Sequence, residues 1–495
     1  MLIYWISDLG PGVSRDSAAY IDAAQNLLIG NGLFVGGRPM THYPPGYPFL
    51  IWGITKLHTG DILQAIRFLC ALLFSMNIIL IGLAVHICTK QNLIATGLAM
   101  TAFLFSASVL SVHSMAWSEA PYITFSVASI LLLSHHITRP RFYVLVLAAL
   151  MTGVAAVTRY VGIVLLPTAV LAFYFLDNRS IKLKMRDMVL FIGIASLPLI
   201  SWFIRNILIA QSETSRKFAL HPIKLSHVKS FITTMHDFVL PTPDKILPIA
   251  TWIQTMNVGL AFVLFIWGGM IIYRKAHNKP NVTFIGSVLS IICVIYSVIY
   301  ILFLVISISF LDAQIPLDDR ILLPIIPALT IAGIVFAWSL STIFTRRFIW
   351  YGFIFFGLLS ISINAIRATI RAVDIHESGR GYTSRYWNNS ESIAYISDLP
   401  GGRIIYSNGP DVIRFMTGKQ AIMIPQKVFQ HSRIVNEDYE KQLNQMIKEC
   451  REGKAIIVFF NSMKRWYLPS IKEIKSKGAL PLLNRIQDDF IYGTQ

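Results

Sequence analysis

Five charged residues, Asp16, Glu119, Arg159, Arg205 and Arg320, stand in or beside five separate segments of a largely apolar chain. A carboxylate or guanidinium at the edge of a membrane is costly unless it is paired or used, so such residues mark candidate chemistry. Each also has a plainer role open to it. Asp16, within Ser14-Arg15-Asp16-Ser17-Ala18-Ala19-Tyr20, suits either the N-cap of a helix or proton transfer. Glu119 follows Trp117-Ser118 at the start of an apolar run, where its charge complements a helix dipole. Arg159, Arg205 and Arg320 suit snorkelling toward the interface or pairing with an acid. A rigid turn, His42-Tyr43-Pro44-Pro45-Gly46-Tyr47-Pro48, breaks one helix and starts another, with its tyrosines anchored at the interface.

The elements that must position these residues follow from composition. Of 495 residues, 54% are hydrophobic and 14% charged, and the mean hydropathy is +0.58. Soluble domains carry about 25% charged residues, so a soluble enzyme, a disordered chain and a small disulfide scaffold are excluded. The net charge of +17 would suggest nucleic acid in a soluble protein; here, basic cytoplasmic loops explain it and no nucleic-acid partner is expected. Cys70, Cys88, Cys293 and Cys450 are scattered, with no metal-ligand spacing and no disulfide framework. No cofactor is indicated, and no residue demands a metal, although a divalent ion stays open.

Apolar runs of membrane-spanning length occur at Ile62–Cys88, Leu93–Val112, Ser118–Leu133, Phe142–Val157, Tyr160–Leu176, Met188–Ile209, Trp252–Tyr273, Val282–Phe310, Ile321–Phe344 and Phe348–Ile366. Lysine and arginine collect in alternate loops: Lys90; Arg139 and Arg141; Arg179, Lys182, Lys184 and Arg186; Arg274, Lys275 and Lys279; Arg346 and Arg347. Only Asp177 and Asp187 oppose them, which marks that side as cytoplasmic. The other loops, including Ala210–Ala250, face outward, and the five charged residues above all fall on that face. The N-terminal segment carries an amphipathic stretch with Tyr20, Ala24, Leu27 and Leu28 on one face, which predicts an interfacial helix closing at Gly30-Asn31-Gly32. Leu2–Ile6 is apolar but too short to span, and is expected to be the end of a truncated first helix.

Beyond Arg367 the pattern becomes soluble. Strands are predicted at Arg403–Tyr406, Gln420–Ile424 and Ala455–Phe460, and helices near Ser390–Ile396, Asp411–Phe415 and Tyr439–Cys450, giving an extracytoplasmic α/β domain. Tyr406-Ser-Asn-Gly-Pro-Asp411 forms a strand-to-helix turn without the spaced glycines of a nucleotide-binding loop. The expected division is 1–61 (truncated helix and outer loop), 62–367 (membrane domain) and 368–495 (extracytoplasmic domain).

Asp16 with Tyr20, the turn Tyr43-Pro-Pro-Gly-Tyr-Pro48, Ser118-Glu119, Thr158-Arg159-Tyr160, Trp202 to Arg205-Asn206, and Asp319-Arg320 to Leu323-Pro324 occur in this order along the chain. Together they resemble the GT-C superfamily, in particular its family 39-like branch of dolichyl-phosphate-mannose protein mannosyltransferases and the aminoarabinose transferase of lipid A. The resemblance implies a multi-pass α-helical membrane protein of about ten to eleven transmembrane helices. It implies an inverting hexosyl- or pentosyltransferase that moves a sugar from a polyprenyl-phosphate donor to a lipid, glycan or protein acceptor on the outer face. In that family an acid of the first outer loop is the catalytic carboxylate, a role that falls on Asp16. Asp16 is then the base, and Glu119 a second carboxylate orienting acceptor or sugar. Arg320, with Arg205 or Arg159, partners the phosphate, and His42, Tyr43 and Tyr20 complete the binding residues. Phosphate leaves without a general acid, so one base and one cation suffice. A flippase of lipid-linked sugars, or a glycan polymerase or ligase, would show similar topology; no paired inverted repeat of a transporter is present.

Overall fold

The computed structural model describes residues 1–58, 60–210, 220–239, 254–256, 258–259, 285–343, 347–430, 433–478 and 480–494. Among them, six helices are each long and apolar enough to cross a membrane, at Ile62–Cys88, Glu119–Thr138, Ile181–Ile209, Val288–Phe310, Asp319–Ser341 and Trp350–Ser378. The run expected to span at Leu93–Val112 is a pair, Leu93–Leu104 and Ala107–His113, bent by 60°. Its break has a local cause: Ser106 turns extended and its hydroxyl accepts the Val109 N–H, starting a new helix. Two shorter apolar helices, Phe142–Thr158 and Tyr160–Leu176, match the fourth and fifth expected spans. The expected span Trp252–Tyr273 lies almost wholly outside the described residues.

Two features depart from the sequence pattern. Within the expected loop Ala210–Ala250 there is an amphipathic helix, Leu225–Val239, whose row Phe231, Met235 and Phe238 packs on the core. The last membrane helix does not stop where its apolar run ends at Ile366 but continues to Ser378.

Buried polar contacts lock the bundle at both ends. Asn77 donates to the Ala120 carbonyl at 3.1 Å and meets His113 Nε2 at 3.0 Å, while Thr124 donates to Asn77 Oδ1 at 2.8 Å. This network ties the bent pair to the start of helix Glu119–Thr138, and so fixes Glu119. At the other end, buried Asp187 accepts from His136 at 3.0 Å and Arg179 at 2.8 Å, and Arg179 also pairs with Asp177. These two acids, the exceptions in the basic loops, are thereby neutralised in place.

The N-terminal segment folds back on the bundle. Ile3 and Ile6 of helix Leu2–Ile6 are buried, and Asp8 pairs with Arg67 at 3.0 Å. Helix Arg15–Leu28 follows, then a short hairpin of β1 (Phe34–Val35) and β2 (Arg38–Pro39) and helix Gly46–Leu57. Helix Arg15–Leu28 is not among the helices long and apolar enough to span; it buries Tyr20, Ile21 and Ala24 against the core of the protein, while Leu27 and Leu28 of the expected face are half-buried.

The C-terminal part is an α/β domain around β3 (Ile404–Ser407), β4 (Ala421–Met423), β5 (Ala455–Phe459), β6 (Leu482–Ile486) and β7 (Asp489–Tyr492). Their order is β4-β3-β5-β7-β6. β3 runs parallel to β4 and β5, with Tyr406 opposite Ile422 and Ile457, and β7 pairs antiparallel with β5 and β6. The parallel strands read as short apolar runs in the sequence and are expected there, although only β5 is buried along most of its length; β6, interrupted by Asn484 and Arg485, and β7 are not among the expected strands.

Candidate active site

The site is assembled from segments far apart in the chain. Asp16 stands in the first turn of helix Arg15–Leu28, but Ser14, not Asp16, is the N-cap residue. The capping role open to Asp16 is therefore not the one it takes. Its Oδ2 accepts from Arg320 Nη2 at 2.9 Å and its Oδ1 from the Tyr43 hydroxyl at 3.0 Å. Burial opposes ionisation of Asp16, yet the Arg320 charge and hydrogen bond, with help from Tyr43, hold the carboxyl below its ordinary value. The same surroundings, burial first and the Asp16 charge second, push the Tyr43 phenol well above its ordinary value, so it stays a donor.

Arg320 is held from the other side. Its Nε donates to Glu119 Oε1 at 2.6 Å, and its guanidinium lies over the Trp117 ring at 4.2 Å. Arg159 binds the same Glu119 oxygen and donates to Ser118 Oγ at 3.3 Å. Glu119 is fully buried, and its other oxygen finds no hydrogen-bond partner among the described residues. The local fold explains the convergence. Asp318 accepts the Ile321 N–H at 3.1 Å and starts the turn that presents Arg320, while Asp319 accepts from Ser108 at 2.6 Å. Arg159 sits in extended backbone where helix Phe142–Thr158 ends.

These residues edge a cavity of about 1410 Å³ lined by Asp16, Tyr20, His42, Tyr43, Arg159 and Arg320. A ligand site typically occupies about 300–1,000 Å³, so this one is larger than a single small ligand needs. One wall is apolar, with Ile163, Leu199, Phe203, Phe303 and Leu304. The C-terminal domain adds polar lining through Asp411, Arg414, Gln420 and Gln430 and apolar lining through Phe415, Met416 and Met423. Asp411, in the turn that the sequence marked as lacking nucleotide-loop glycines, accepts from Arg465 at 2.7 Å and from the Tyr382 hydroxyl.

Two expected residues are placed otherwise. Glu119 was expected to orient acceptor or sugar, but it is not among the residues lining the cavity; it stands behind Arg159 and Arg320 and holds both. Arg205 is not brought to the cluster and does not line the cavity. Its Nη1 donates to the Met40 carbonyl at 2.5 Å and its Nη2 to that of Leu33 at 3.3 Å, with its guanidinium over Trp202 at 4.8 Å, so it fastens the β1–β2 hairpin. His42 lines the cavity with its ring edge-on to Tyr43, and Tyr20 lies 3.5 Å from Ser118 Oγ. Sequence reasoning missed Arg15, Asp22 and Tyr300 and the whole C-terminal wall. Arg15 and Asp22 were visible as charges on helix Arg15–Leu28; Tyr300 sits inside an apolar run and gave no signal. Among the described residues no group of three or more histidine, cysteine, aspartate or glutamate side chains is placed to hold a metal ion.

Residues 42–203 match the family model described as dolichyl-phosphate-mannose-protein mannosyltransferase. No curated protein matches the chain in sequence. Solved structures do match in fold. ArnT from Cupriavidus metallidurans bound to undecaprenyl phosphate superposes with a TM-score of 0.59 at 12% identity, over 99% of this chain and 95% of that one. The same protein in its apo state gives 0.56 at 13% identity with the same coverage. The archaeal oligosaccharyltransferase AglB from Archaeoglobus fulgidus, in complex with an inhibitory peptide and a dolichol-phosphate, gives 0.53 at 12% identity over 91% of this chain and 66% of that one. The chain thus has the overall fold shared by ArnT and AglB, and over residues 42–203 its sequence matches the model described as dolichyl-phosphate-mannose-protein mannosyltransferase.

Proposed function

We propose that this protein transfers a sugar, with inversion, from a polyprenyl-phosphate donor to an acceptor on the outer face of the membrane. The observation that carries the reading is the cavity itself: a partly exposed carboxylate, Asp16, paired with Arg320, in a space also lined by Arg159 and by a set of apolar side chains. The apolar wall suits a polyprenyl chain. Arg320 and Arg159 suit the phosphate, where negative charge grows as the glycosidic oxygen departs. Asp16 takes the proton of the acceptor hydroxyl as its oxygen bonds to the anomeric carbon and the carbon–oxygen bond to phosphate breaks, its electrons leaving with the phosphate. Glu119 touches none of these atoms and acts as a positioning residue for the two cations. The outer location rests on the charge pattern of the sequence, in which lysine and arginine collect in the alternate loops and leave Asp16 among the others. ArnT binds undecaprenyl phosphate and AglB is in complex with a dolichol-phosphate in their solved structures, the ligand class this site suits.

Release of polyprenyl phosphate from a panel of radiolabelled polyprenyl-phosphate sugars, in membranes carrying the wild type or Asp16→Asn, tests the reading. Removing a general base costs about 10²–10⁴-fold, so the variant is expected to insert normally and lose transfer by at least that lower figure. Full activity in the variant would remove Asp16 from the role. Transbilayer movement of the lipid without turnover of any donor would favour a flippase instead.

A further inference from the structure

In the unliganded site the proposed base is not free to act. Both Asp16 oxygens already accept strong donors, Arg320 Nη2 at 2.9 Å on Oδ2 and Tyr43 at 3.0 Å on Oδ1. A guanidinium does not give up its proton, so as long as Arg320 stays on Asp16 the carboxylate is a poor acceptor. Yet the other cation expected at the phosphate, Arg159, is bound to the buried Glu119 as well. A donor phosphate therefore meets cations that are already paired, and something must be exchanged.

The geometry says which contact gives way. Arg320 is anchored through Nε to Glu119, which is 0% exposed, and its plane rests on Trp117. Its Nη2 end points to Asp16, whose side chain is 31% exposed and lines the cavity. The inner contact is shielded from an entering anion; the outer one borders the space that anion would fill. A phosphate oxygen and a carboxylate oxygen compete for the same fork of N–H groups. We propose that donor binding moves the Nη end of Arg320 from Asp16 onto the donor phosphate while Nε stays on Glu119, so that the base is released only in the loaded enzyme. This rests on the reading of the site as a polyprenyl-phosphate enzyme. Its consequence is protection against unproductive chemistry: the cation that receives the leaving charge and the carboxylate that takes the proton are switched on by one event.

Linkage makes the exchange measurable without knowing the sugar. If Asp16 and phosphate compete for Arg320, removing the carboxylate must strengthen phosphate binding, because coupling between two ligands of one group is reciprocal. The probe is undecaprenyl phosphate, titrated onto the purified full-length chain at fixed pH and ionic strength. Asp16→Asn is expected to bind it about 5-fold or more tightly, the lower end of ordinary coupling between sites. Asp16→Ala serves as a second variant should the amide disturb folding, which thermal unfolding of each protein monitors. Asp22→Asn removes the same charge from the same cavity without touching Arg320, since Asp22 faces Arg414 at 3.7 Å; it is expected to gain much less. In an Arg320→Gln background the gain from Asp16→Asn is expected to vanish. A gain no larger than that of Asp22→Asn, or one that persists without Arg320, would overturn the exchange and leave the glycosyltransferase reading standing. Failure of the wild type and every variant to bind the lipid would overturn the reading and the exchange together.

Discussion

A buried carboxylate shared by two guanidinium groups gives Glu119 a different task from Asp16, although both are acids near the same arginines. Asp16 borders open space and can reach a substrate; Glu119 cannot, and its value lies in fixing where Arg159 and Arg320 point. Removing one member of a buried charge cluster costs about 3–5 kcal/mol, because the remaining charges lose their compensation. Glu119→Gln is therefore expected to lower the thermal unfolding midpoint of the purified protein clearly and to raise the donor KM, as the two cations drift. A variant with normal stability and donor KM but a collapsed kcat would instead make Glu119 a participant in the chemistry. At this scale the sequence showed which residues were candidates, since charges beside apolar runs are few. It could not separate the acid that lines the cavity from the acid behind it, nor show that Arg205 is occupied by the carbonyls of Leu33 and Met40. Burial and partner choice are tertiary facts.

At the scale of elements, apolar periodicity and length located the helices well, because each crossing must satisfy its own backbone and bury or expose a full turn of side chains. What periodicity does not encode is the 60° bend near Ser106 or the continuation of the last helix past Ile366. In both, a capping hydroxyl or a change of solvent, rather than hydropathy, decides the boundary. The turn Tyr43-Pro-Pro-Gly-Tyr-Pro48 shows why a short motif can be indispensable. A Cβ on Gly46 would lie 2.7 Å from the Val157 carbonyl and 2.9 Å from the Thr158 amide, so only glycine lets helix Gly46–Leu57 approach the segment that ends at Arg159. Tyr43, three residues earlier, donates to Asp16. Gly46→Ala is expected to destabilise by about 1–3 kcal/mol, the range for overpacking a tight contact, and to weaken donor turnover. Gly53→Ala in the same helix, where a Cβ meets nothing within 4 Å, is expected to change neither thermal unfolding nor transfer. Equal behaviour of the two variants would mean the approach is dispensable.

Over the whole molecule, one side of the cavity comes from the C-terminal domain, which meets helix Arg15–Leu28 and the segment before Asp318. Arg15 donates to Gln430 at 2.7 Å, and Trp466 donates to Gln314 at 3.1 Å. No sequence pattern announces such a contact, since the partners are 415 and 152 positions apart and carry no motif. The joint that sets the register is closer to Asp16: Val13 bridges to Gly381, and the Tyr382 N–H donates to the Val13 carbonyl at 2.7 Å. Gly381 has φ +59, and a Cβ there would lie 2.1 Å from the Val13 carbonyl oxygen. Both the backbone conformation and the space exclude a side chain. Gly381→Ala must therefore move either the segment that leads into helix Arg15–Leu28 or the start of the domain, and each route shifts Asp16 relative to Arg320. Misplacing a reacting group by about 1 Å costs on the order of 10²-fold. Transfer by Gly381→Ala is expected to fall by about that factor while the chain still inserts and its C-terminal domain resists limited proteolysis. Gly401→Ala, with open space around its Cβ in the same domain, is expected to retain activity. If Gly381→Ala also retains it, Asp16 takes its position from the membrane helices alone, and the domain would serve only as a wall of the cavity.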